Sequence, residues 1–378
     1  MSDSNFINSA VIVDLGSGVI KAGFSGEDGP RSIFSSVVGV PKMPGLLVGM
    51  ELRERYVGDE AISKLEIMNF SNPIRQGEIV DWDKFENMMH YLLYNELKIV
   101  PEELSILITE PPLNPKETRA KLAETLFETF NIDRIHIANS GMLGLYSYGK
   151  TSGLVLDSGY GLTSCVPVYE GYPLPHASLK MKLAGENLSE NLLSMIHSQV
   201  GKGFKGIKGR LLADDIKEKL GYIALNAEEE EKHFGDDGER YVEYKLPDGN
   251  NIKIGAELFK HSELLFRPES DEYYSVTQII SEVISRCDED IKMDIQENIC
   301  LTGGSTLLKG FPERLRNELS QNLNNNSFNL NYSHERQFSN WIGGSIVSSL
   351  NNFAYMWVSK QEYDECGSAL EAVDSKCF

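Results

Sequence analysis

Two glycine-rich turns, one near the start of the chain and one in its middle, share a single pattern. Residues 11–26 read VIVDLGSGVIKAGFSG and residues 154–171 read LVLDSGYGLTSCVPVYEG. In each, an apolar strand ends in aspartate, a Gly-x-Gly turn follows and a second strand begins, which predicts a β-hairpin whose turn exposes backbone N–H groups. Because the hairpins lie about one domain length apart, the chain is predicted to form two lobes of related fold.

The length and net charge of the chain limit the folds and partners that we expect for it. A length of 378 residues is too great for one ordinary hydrophobic core, which also favours two lobes. Lys and Arg number 36 against 56 Asp and Glu, a formal net charge of −20. Such a surface repels phosphate backbones, so we expect no direct nucleic-acid partner. The first apolar run is about one strand long and follows no basic segment, so membrane insertion is not expected either.

The cysteines indicate a reducing compartment. They are odd in number, scattered and without metal-ligand spacing: Cys165, Cys287, Cys300, Cys366 and Cys377. We therefore expect a cytoplasmic or nuclear protein without structural disulfides.

The composition of the two turns suits a phosphate ligand. Gly16 and Gly18 let the backbone approach closely, and their turn can form an anion-binding nest. Lys21, on the following strand, is placed to reach a β- or γ-phosphate. Asp14 and Asp157 would face each other across a cleft and hold Mg²⁺ through its waters, because Mg²⁺ keeps much of its hydration shell.

The specificity of this signal comes from its repetition. A single turn of this kind is weak evidence, and a plain tight hairpin would be the better interpretation of it. Two turns in matching strand contexts are far more specific, and the segment 302–306 (TGGST) adds a third glycine element. Together they predict a nucleotide site.

Helices are predicted between these elements. The residues NPKE at 114–117 have the order of an N-cap, a first-turn proline and a capping-box glutamate, and SKQE at 359–362 offers a second capping box. Apolar residues at helical spacing predict further helices over 213–225 and 345–357.

The whole chain resembles actin from end to end, and it looks like a divergent actin paralogue or an actin-related protein. The resemblance is carried by DLGSGVIKAGF, VGMELRERYVGDEA, YNELKIVPEEL, EPPLNPKETR, LVLDSGYGLTSCVPVYEGYPLPHA, DIKEKLGYIAL, WIGGSIVSSL and MWVSKQEYDE. It implies an α/β, actin-like ATPase fold with two related lobes, divided into four subdomains around a central nucleotide cleft. The implied boundaries are 1–35, 73–147 and 338–378 for subdomain 1, 36–72 for subdomain 2, 148–184 and 271–337 for subdomain 3, and 185–270 for subdomain 4.

The resemblance also implies a ligand, ATP or ADP with Mg²⁺ or Ca²⁺, and the residues that bind it. The first phosphate loop is matched by Gly16, Ser17, Gly18 and Lys21. The second is matched by Asp157, Gly159, Gly161 and Leu162. The sugar and adenine pocket is matched by Gly185, Lys217, Glu218, Gly303, Gly304 and Ser305.

The first departures from the actin pattern are at the residues that position water for ATP hydrolysis. Where actin positions the attacking water with a glutamine and a histidine, this chain has Ser140 and Ser164, and Tyr160 replaces an aspartate between the second pair of glycines. Phosphoryl transfer depends on positioning, so ATP hydrolysis is expected to be weak or absent.

The base pocket departs as well. Leu308 stands where actin has a tyrosine against adenine, and Gln337 where it has a lysine. An apolar wall is kept, but ring stacking and a cation are lost. We expect a nucleotide site that is formed but weaker, because the glycine turns and both aspartates persist.

Assembly surfaces are mixed. Residues 43–55 match the subdomain 2 loop, spanning about 41–55, that inserts into a neighbouring subunit. The groove that takes partner helices is matched by Tyr146, Tyr172, Ile346 and Met356, for which core packing is the alternative interpretation. In contrast, the apolar plug loop of actin is replaced by the acidic residues 269–272 (ESDE), which would be costly to bury against a partner.

Three functions follow from these features. The first is a cytoskeletal protein that joins or modulates actin filaments, with actin, itself or actin-binding proteins as partners. The second is a non-polymerising scaffold subunit of a nucleator, dynactin-like or chromatin-remodelling complex, in which case a nuclear location is possible. The third, an active enzyme of the wider superfamily such as a sugar kinase, is disfavoured by the match to actin's surface segments.

Overall fold

The computed structural model describes residues 10–42, 53–201, 203–234, 240–323 and 328–377. No helix in these ranges is both long and apolar enough to cross a bilayer. Two π-helical turns, Tyr91–Glu96 and Thr125–Thr129, each continue an α-helix. The α-helices are Gly58–Ile62, Trp82–His90, Lys116–Glu124, Ser140–Tyr146, Gly185–Val200, Ile207–Leu220, Ala227–Lys232, Glu257–Lys260, Val276–Arg286, Lys292–Glu297, Phe311–Asn322, Ser339–Ser348, Lys360–Cys366 and Ala369–Asp374.

The first large sheet contains the hairpin predicted near the start of the chain. Val11–Leu15 pairs antiparallel with Val19–Phe24 and parallel with Ser105–Glu110, which is itself parallel to Arg134–Asn139. In order across the sheet, the strands are Val358–Ser359, Arg134–Asn139, Ser105–Glu110, Val11–Leu15, Val19–Phe24 and Ser32–Ser35.

The second large sheet repeats this arrangement. Gly153–Ser158 pairs antiparallel with Thr163–Tyr169 and parallel with Asn298–Thr302, which is parallel to Asn329–Asn331. Because each sheet joins a hairpin to two successive parallel strands, the prediction of two related lobes is confirmed. In order, the strands are Tyr172–Pro173, Thr163–Tyr169, Gly153–Ser158, Asn298–Thr302 and Asn329–Asn331, with Leu179–Met181 paired to Thr163–Tyr169.

Strand alternation places apolar residues on both faces of the first sheet. Val11 and Val13 pack in one buried cluster with helix residues such as Phe85, whereas Ile12 faces a different cluster that contains Trp341. Successive side chains of a strand point to opposite faces, and a strand covered on both sides is therefore apolar throughout. This explains the unbroken apolar run before Asp14.

Two helices, Ser140–Tyr146 and Ser339–Ser348, pack closely against each other. A Cβ on Gly343 would collide with the carbonyl oxygen of Leu143, so only glycine permits the crossing. Trp341 is fully buried and its Nε1 donates to the Ile12 carbonyl at 3.1 Å. The helix Ser339–Ser348 is thereby fixed to the strand Val11–Leu15.

Smaller sheets flank the two lobes. One contains Tyr56–Val57, Val38–Pro41 and Met68–Ser71, and two hairpins pair Ile74–Arg75 with Glu78–Ile79 and Val242–Lys245 with Asn251–Ile254. Residues 43–52 of the predicted insertion loop lie outside the described residues. The four subdomain boundaries stay a prediction.

Three of the predicted helix limits were wrong, each for a local reason. The Asn114 side chain donates to Glu110 instead of capping, and its helix begins at Lys116. The helix expected over 213–225 is Ile207–Leu220, because Gly221 is extended. The one expected over 345–357 is Ser339–Ser348, after which Leu350 is extended and a 3₁₀ turn, Asn351–Met356, follows. The capping box at Ser359, in contrast, is confirmed.

Candidate functional site

Both glycine turns and the third glycine element open onto one cleft of about 1560 Å³. Of the residues predicted for the nucleotide, metal and hydrolytic positions, all of which the structure describes, Gly185 alone does not line this cleft. Gly185 is buried, and its N–H donates to the Gly159 carbonyl at 3.1 Å. The predicted residues on the cleft wall are Asp14, Gly16, Ser17, Gly18, Lys21, Ser140, Asp157, Gly159, Tyr160, Gly161, Leu162, Ser164, Lys217, Glu218, Gly303, Gly304, Ser305, Leu308 and Gln337.

The first turn is held by its glycines and by a neighbouring strand. The Gly16 N–H donates to the Asp14 carbonyl at 3.2 Å, and a Cβ on Gly16 would collide with the carbonyl oxygen of Val19. Thr109 Oγ1 donates to Asp14 Oδ1 at 2.9 Å and accepts from the Leu15 N–H at 2.9 Å. Thr109 therefore fixes both the turn and the direction of its aspartate.

Lys21 lies on the strand that leaves this turn and forms an ion pair with Asp14. Its Nζ is 2.8 Å from Asp14 Oδ2, and both side chains are largely buried. An ammonium group has three donors, so Lys21 can keep this bond and still donate to a phosphate oxygen.

The second aspartate is held from the C-terminal part of the chain. Asn340 Nδ2 donates to Asp157 Oδ2 at 2.9 Å. Desolvation raises the pKa of Asp157, and the bond from Asn340 opposes that rise. Because the charged form of Asp157 is costly in this environment, a cation nearby would stabilise it.

The donor set around the two aspartates fits a divalent cation. Asp14 and Asp157 both reach the cleft, and the buried Asn340 Oδ1 has no hydrogen-bond partner among the described residues. Carboxylate and amide oxygens are the donors that Mg²⁺ and Ca²⁺ prefer.

The second turn is braced by the third glycine element. Ser305 Oγ donates to the Gly159 carbonyl at 2.7 Å. Gly303 adopts φ +88°, and a Cβ there would collide with the Ser158 carbonyl oxygen. These contacts leave the backbone of the turn facing the cleft.

Tyr160, between the glycines of the second turn, contacts the first turn. A Cβ on Gly18 would lie 2.8 Å from Tyr160 Cβ and Cγ, and one on Gly161 would lie 2.8 Å from Ser17 Oγ. The Tyr160 hydroxyl donates to Asp214 Oδ2 at 3.1 Å. The two turns therefore touch, with the tyrosine ring at the point of contact.

The two serines at the hydrolytic positions lie on the cleft wall. Ser140 is the first residue of Ser140–Tyr146, which Asn139 caps by accepting from the Gly141 N–H at 2.9 Å. Ser164 lies on a strand, directly opposite Asp157. Both side chains are short and buried, with 8% and 3% exposure.

The wall predicted to meet the base is partly apolar. Leu308 is 8% exposed and Gln337 is exposed at the cleft edge. Lys217 is buried and donates to the Gly185 carbonyl at 2.9 Å, to Ser189 Oγ at 2.6 Å and to Asp214 Oδ1 at 3.0 Å. All three donors of the Lys217 ammonium group are therefore engaged by groups of the protein.

The residues predicted to form a partner groove differ in exposure. Tyr172 and Ile346 are 62% and 43% exposed, so core packing does not describe them. Tyr146 and Met356 are half-buried and pack on one apolar cluster. The acidic residues 269–272 are all exposed.

Sequence reasoning missed three residues that orient the site: Thr109, Asn340 and Asp214. Thr109 carried a usable signal, since it lies near the carboxyl end of a parallel strand, where ligands commonly bind. Asn340 and Asp214 carried none, because the site residues that they orient, Asp157 and Tyr160, are distant from them in sequence.

The comparison with known proteins agrees with this geometry. A family model described as Actin matches residues 7–378, nearly the whole chain. The related lobes and the cleft between their glycine turns are what that match leads one to expect, and the chain belongs to the actin family.

Proposed function

We propose that the protein binds ATP or ADP with Mg²⁺ or Ca²⁺ in the interlobe cleft and hydrolyses ATP weakly or not at all. The convergence of two glycine turns and both aspartates on one cavity carries this proposal. Glycine turns supply N–H donors to phosphate oxygens, and Lys21 adds a positive charge.

The cation would be held by Asp14 and Asp157 through water. When bound, it neutralises phosphate charge, which matters here because Lys21 and Lys217 already contact carboxylates. Thr109 and Asn340 keep the two carboxylates aimed at the cleft.

Weak hydrolysis follows from the side chains beside this site. Ser140 and Ser164 can each hydrogen-bond a water, but both are too short to reach as far as a glutamine or a histidine. Without those groups the attacking water is poorly aimed.

We further propose that the protein joins or modulates actin filaments in the cytoplasm, as part of the cytoskeleton. The exposure of Tyr172 and Ile346 supports a surface that can take an apolar partner helix or loop. Partners would be actin, other copies of the chain and actin-binding proteins.

One observation favours a second function, a non-polymerising scaffold subunit of a larger complex in the cytoplasm or nucleus. The exposed acidic residues 269–272 would be costly to bury in a filament contact.

Co-sedimentation with conventional actin separates the two functions. If the first is correct, the protein enters the filament pellet as a minority subunit, and raising the salt concentration changes the amount because 269–272 is charged. If the protein stays wholly in the supernatant across salt and Mg²⁺ conditions, the scaffold function replaces it.

A further inference from the structure

Tyr160 lies at a close contact between the two lobes. Its Cβ and Cγ pack on the backbone of Gly18 so tightly that a Cβ there would be 2.8 Å away from each. Tyr160 belongs to the second lobe and Gly18 to the first, so the lobes cannot separate at the phosphate turns without uncovering this ring.

The hydroxyl group fixes the orientation of the ring. It donates to Asp214 Oδ2 at 3.1 Å, while Asp214 Oδ1 accepts from Ser189 Oγ at 2.5 Å and from Lys217 Nζ at 3.0 Å. Burial, followed by the charge of Asp214, raises the pKa of Tyr160, so the phenol keeps the proton that it donates.

The anchor of this ring is a helix that also reaches the first lobe elsewhere. Arg210, Asp214 and Lys217 have the spacing of one helical face on Ile207–Leu220. Arg210 Nη2 donates to Asn72 Oδ1 at 3.0 Å. Asn72 directly follows the Met68–Ser71 strand, which is outside the lobe that contains Arg210.

A ring that only filled space within its own lobe would not contact the Gly18 turn and would not need the hydrogen bond to Asp214. Here the Cβ–Cγ end of the ring contacts the turn of the opposite lobe, and the hydroxyl is bonded to a largely buried, charged network. Lys217 Nζ also lies 5.3 Å from the ring centroid, a further contact that favours this one orientation.

We propose that Tyr160 closes the cleft over bound nucleotide and sets the rate at which the nucleotide leaves. The inference rests on the proposed nucleotide binding. For the ligand to escape, Gly18 and Tyr160 must part, which costs the ring its packing and, if the ring turns, its bond to Asp214.

Tyr160→Phe removes the hydroxyl and keeps the ring. Release of a fluorescent ATP analogue, chased with excess ATP·Mg²⁺, is expected to become about ten- to hundred-fold faster, the effect of losing one hydrogen bond to a charged acceptor. The association rate should change less than the release rate. Tyr244→Phe is the matched control, because Tyr244 donates to Asp215, the next residue of the same helix, from outside the cleft wall.

Hydrogen exchange of the nucleotide-free proteins gives a second, ligand-independent result. The amide of Ser36, which donates to the Gly18 carbonyl at 2.9 Å, and the amides of 16–19 should exchange faster in Tyr160→Phe than in Tyr244→Phe.

The two measurements distinguish the possible failures. Equal release rates for Tyr160→Phe and the parent protein, with nucleotide bound by both, overturn the closing role and leave nucleotide binding intact. If the parent protein takes up no nucleotide, both the proposed function and the control of release by Tyr160 are overturned. If hydrogen exchange at the amides of 16–19 and Ser36 is the same in Tyr160→Phe and Tyr244→Phe, the role of Tyr160 in holding the two turns together is overturned.

Discussion

Ser140 and Ser164 line the cleft on opposite lobes, Ser140 at the start of a helix and Ser164 near the start of the strand Thr163–Tyr169. With nucleotide bound as proposed, both would face a water near the terminal phosphate, but their reach is short. We therefore attribute the proposed slow hydrolysis to two short side chains rather than to a collapsed site.

Lengthening both side chains should restore turnover. In Ser140→Gln/Ser164→His, we expect phosphate release from bound ATP to accelerate about ten- to hundred-fold, since a positioned acid–base group typically contributes that much or more. Single-turnover phosphate release, with each single variant measured beside the pair, gives the two contributions. Retained ATP binding without any acceleration would refute the role given to the serines.

A buried histidine makes a separate residue-scale prediction. Desolvation lowers the pKa of His136 to about 4, although the Met356 carbonyl 3.0 Å from Nδ1 opposes the shift. Below pH 6.5 the unfolded chain binds a proton that the folded chain refuses. Stability should therefore fall between pH 6.5 and 4, by at most about 1.4 kcal/mol per pH unit for this residue.

Urea midpoints measured across that pH range provide the test. His136→Gln should show a shallower fall than the parent protein, whereas His176→Gln, at an exposed site, should follow the parent curve. Parallel curves for His136→Gln and the parent would show that this histidine is not the titrating group.

Local sequence carried most of the information about single site residues. Gly16, Gly18 and Asp14 stand in a turn whose chemistry is readable from neighbours in the chain. Asn340 could not be predicted, because its bond to Asp157 spans 183 residues.

Among the elements, Lys360–Cys366 illustrates how a helix start is encoded. Ser359 Oγ accepts from the Glu362 N–H at 3.2 Å, and Glu362 Oε2 accepts from the Ser359 N–H at 2.9 Å. Two of the donors that a helix start leaves unpaired are thereby satisfied.

Ser359→Ala should destabilise this helix locally by about 1 kcal/mol. The expected result in hydrogen exchange is faster exchange of the Glu362 amide. Ser368→Ala is the control, because Ser368 occupies the same position in Ala369–Asp374 but makes no capping bond to a described residue. Equal effects of the two substitutions would contradict the capping assignment.

Helix limits and one of the two predicted caps were wrong where side chains found other partners. Asn114 has the sequence of a cap, yet its amide donates at 2.9 Å to Glu110, on the strand before it. Ser348 Oγ and Ser349 Oγ donate to carbonyls four residues earlier, at 2.7 and 2.6 Å, near the end of Ser339–Ser348. Such side-chain bonds compete with helix continuation and are not evident from apolar spacing.

For the whole molecule, the repeated hairpin predicted the related lobes, and the two sheets have that relation. The contact between lobes was not predictable, because it depends on how Tyr160 meets Gly18 across the cleft. We propose that the closed cleft holds a nucleotide that it cannot readily hydrolyse.

The most direct test is the nucleotide recovered from the protein itself. The protein is incubated with ATP and Mg²⁺, passed through a desalting column, denatured with acid and assayed for ATP and ADP by chromatography. We predict one ATP per chain with little ADP after an hour. Mainly ADP would contradict impaired hydrolysis, and the absence of both nucleotides would contradict the binding site.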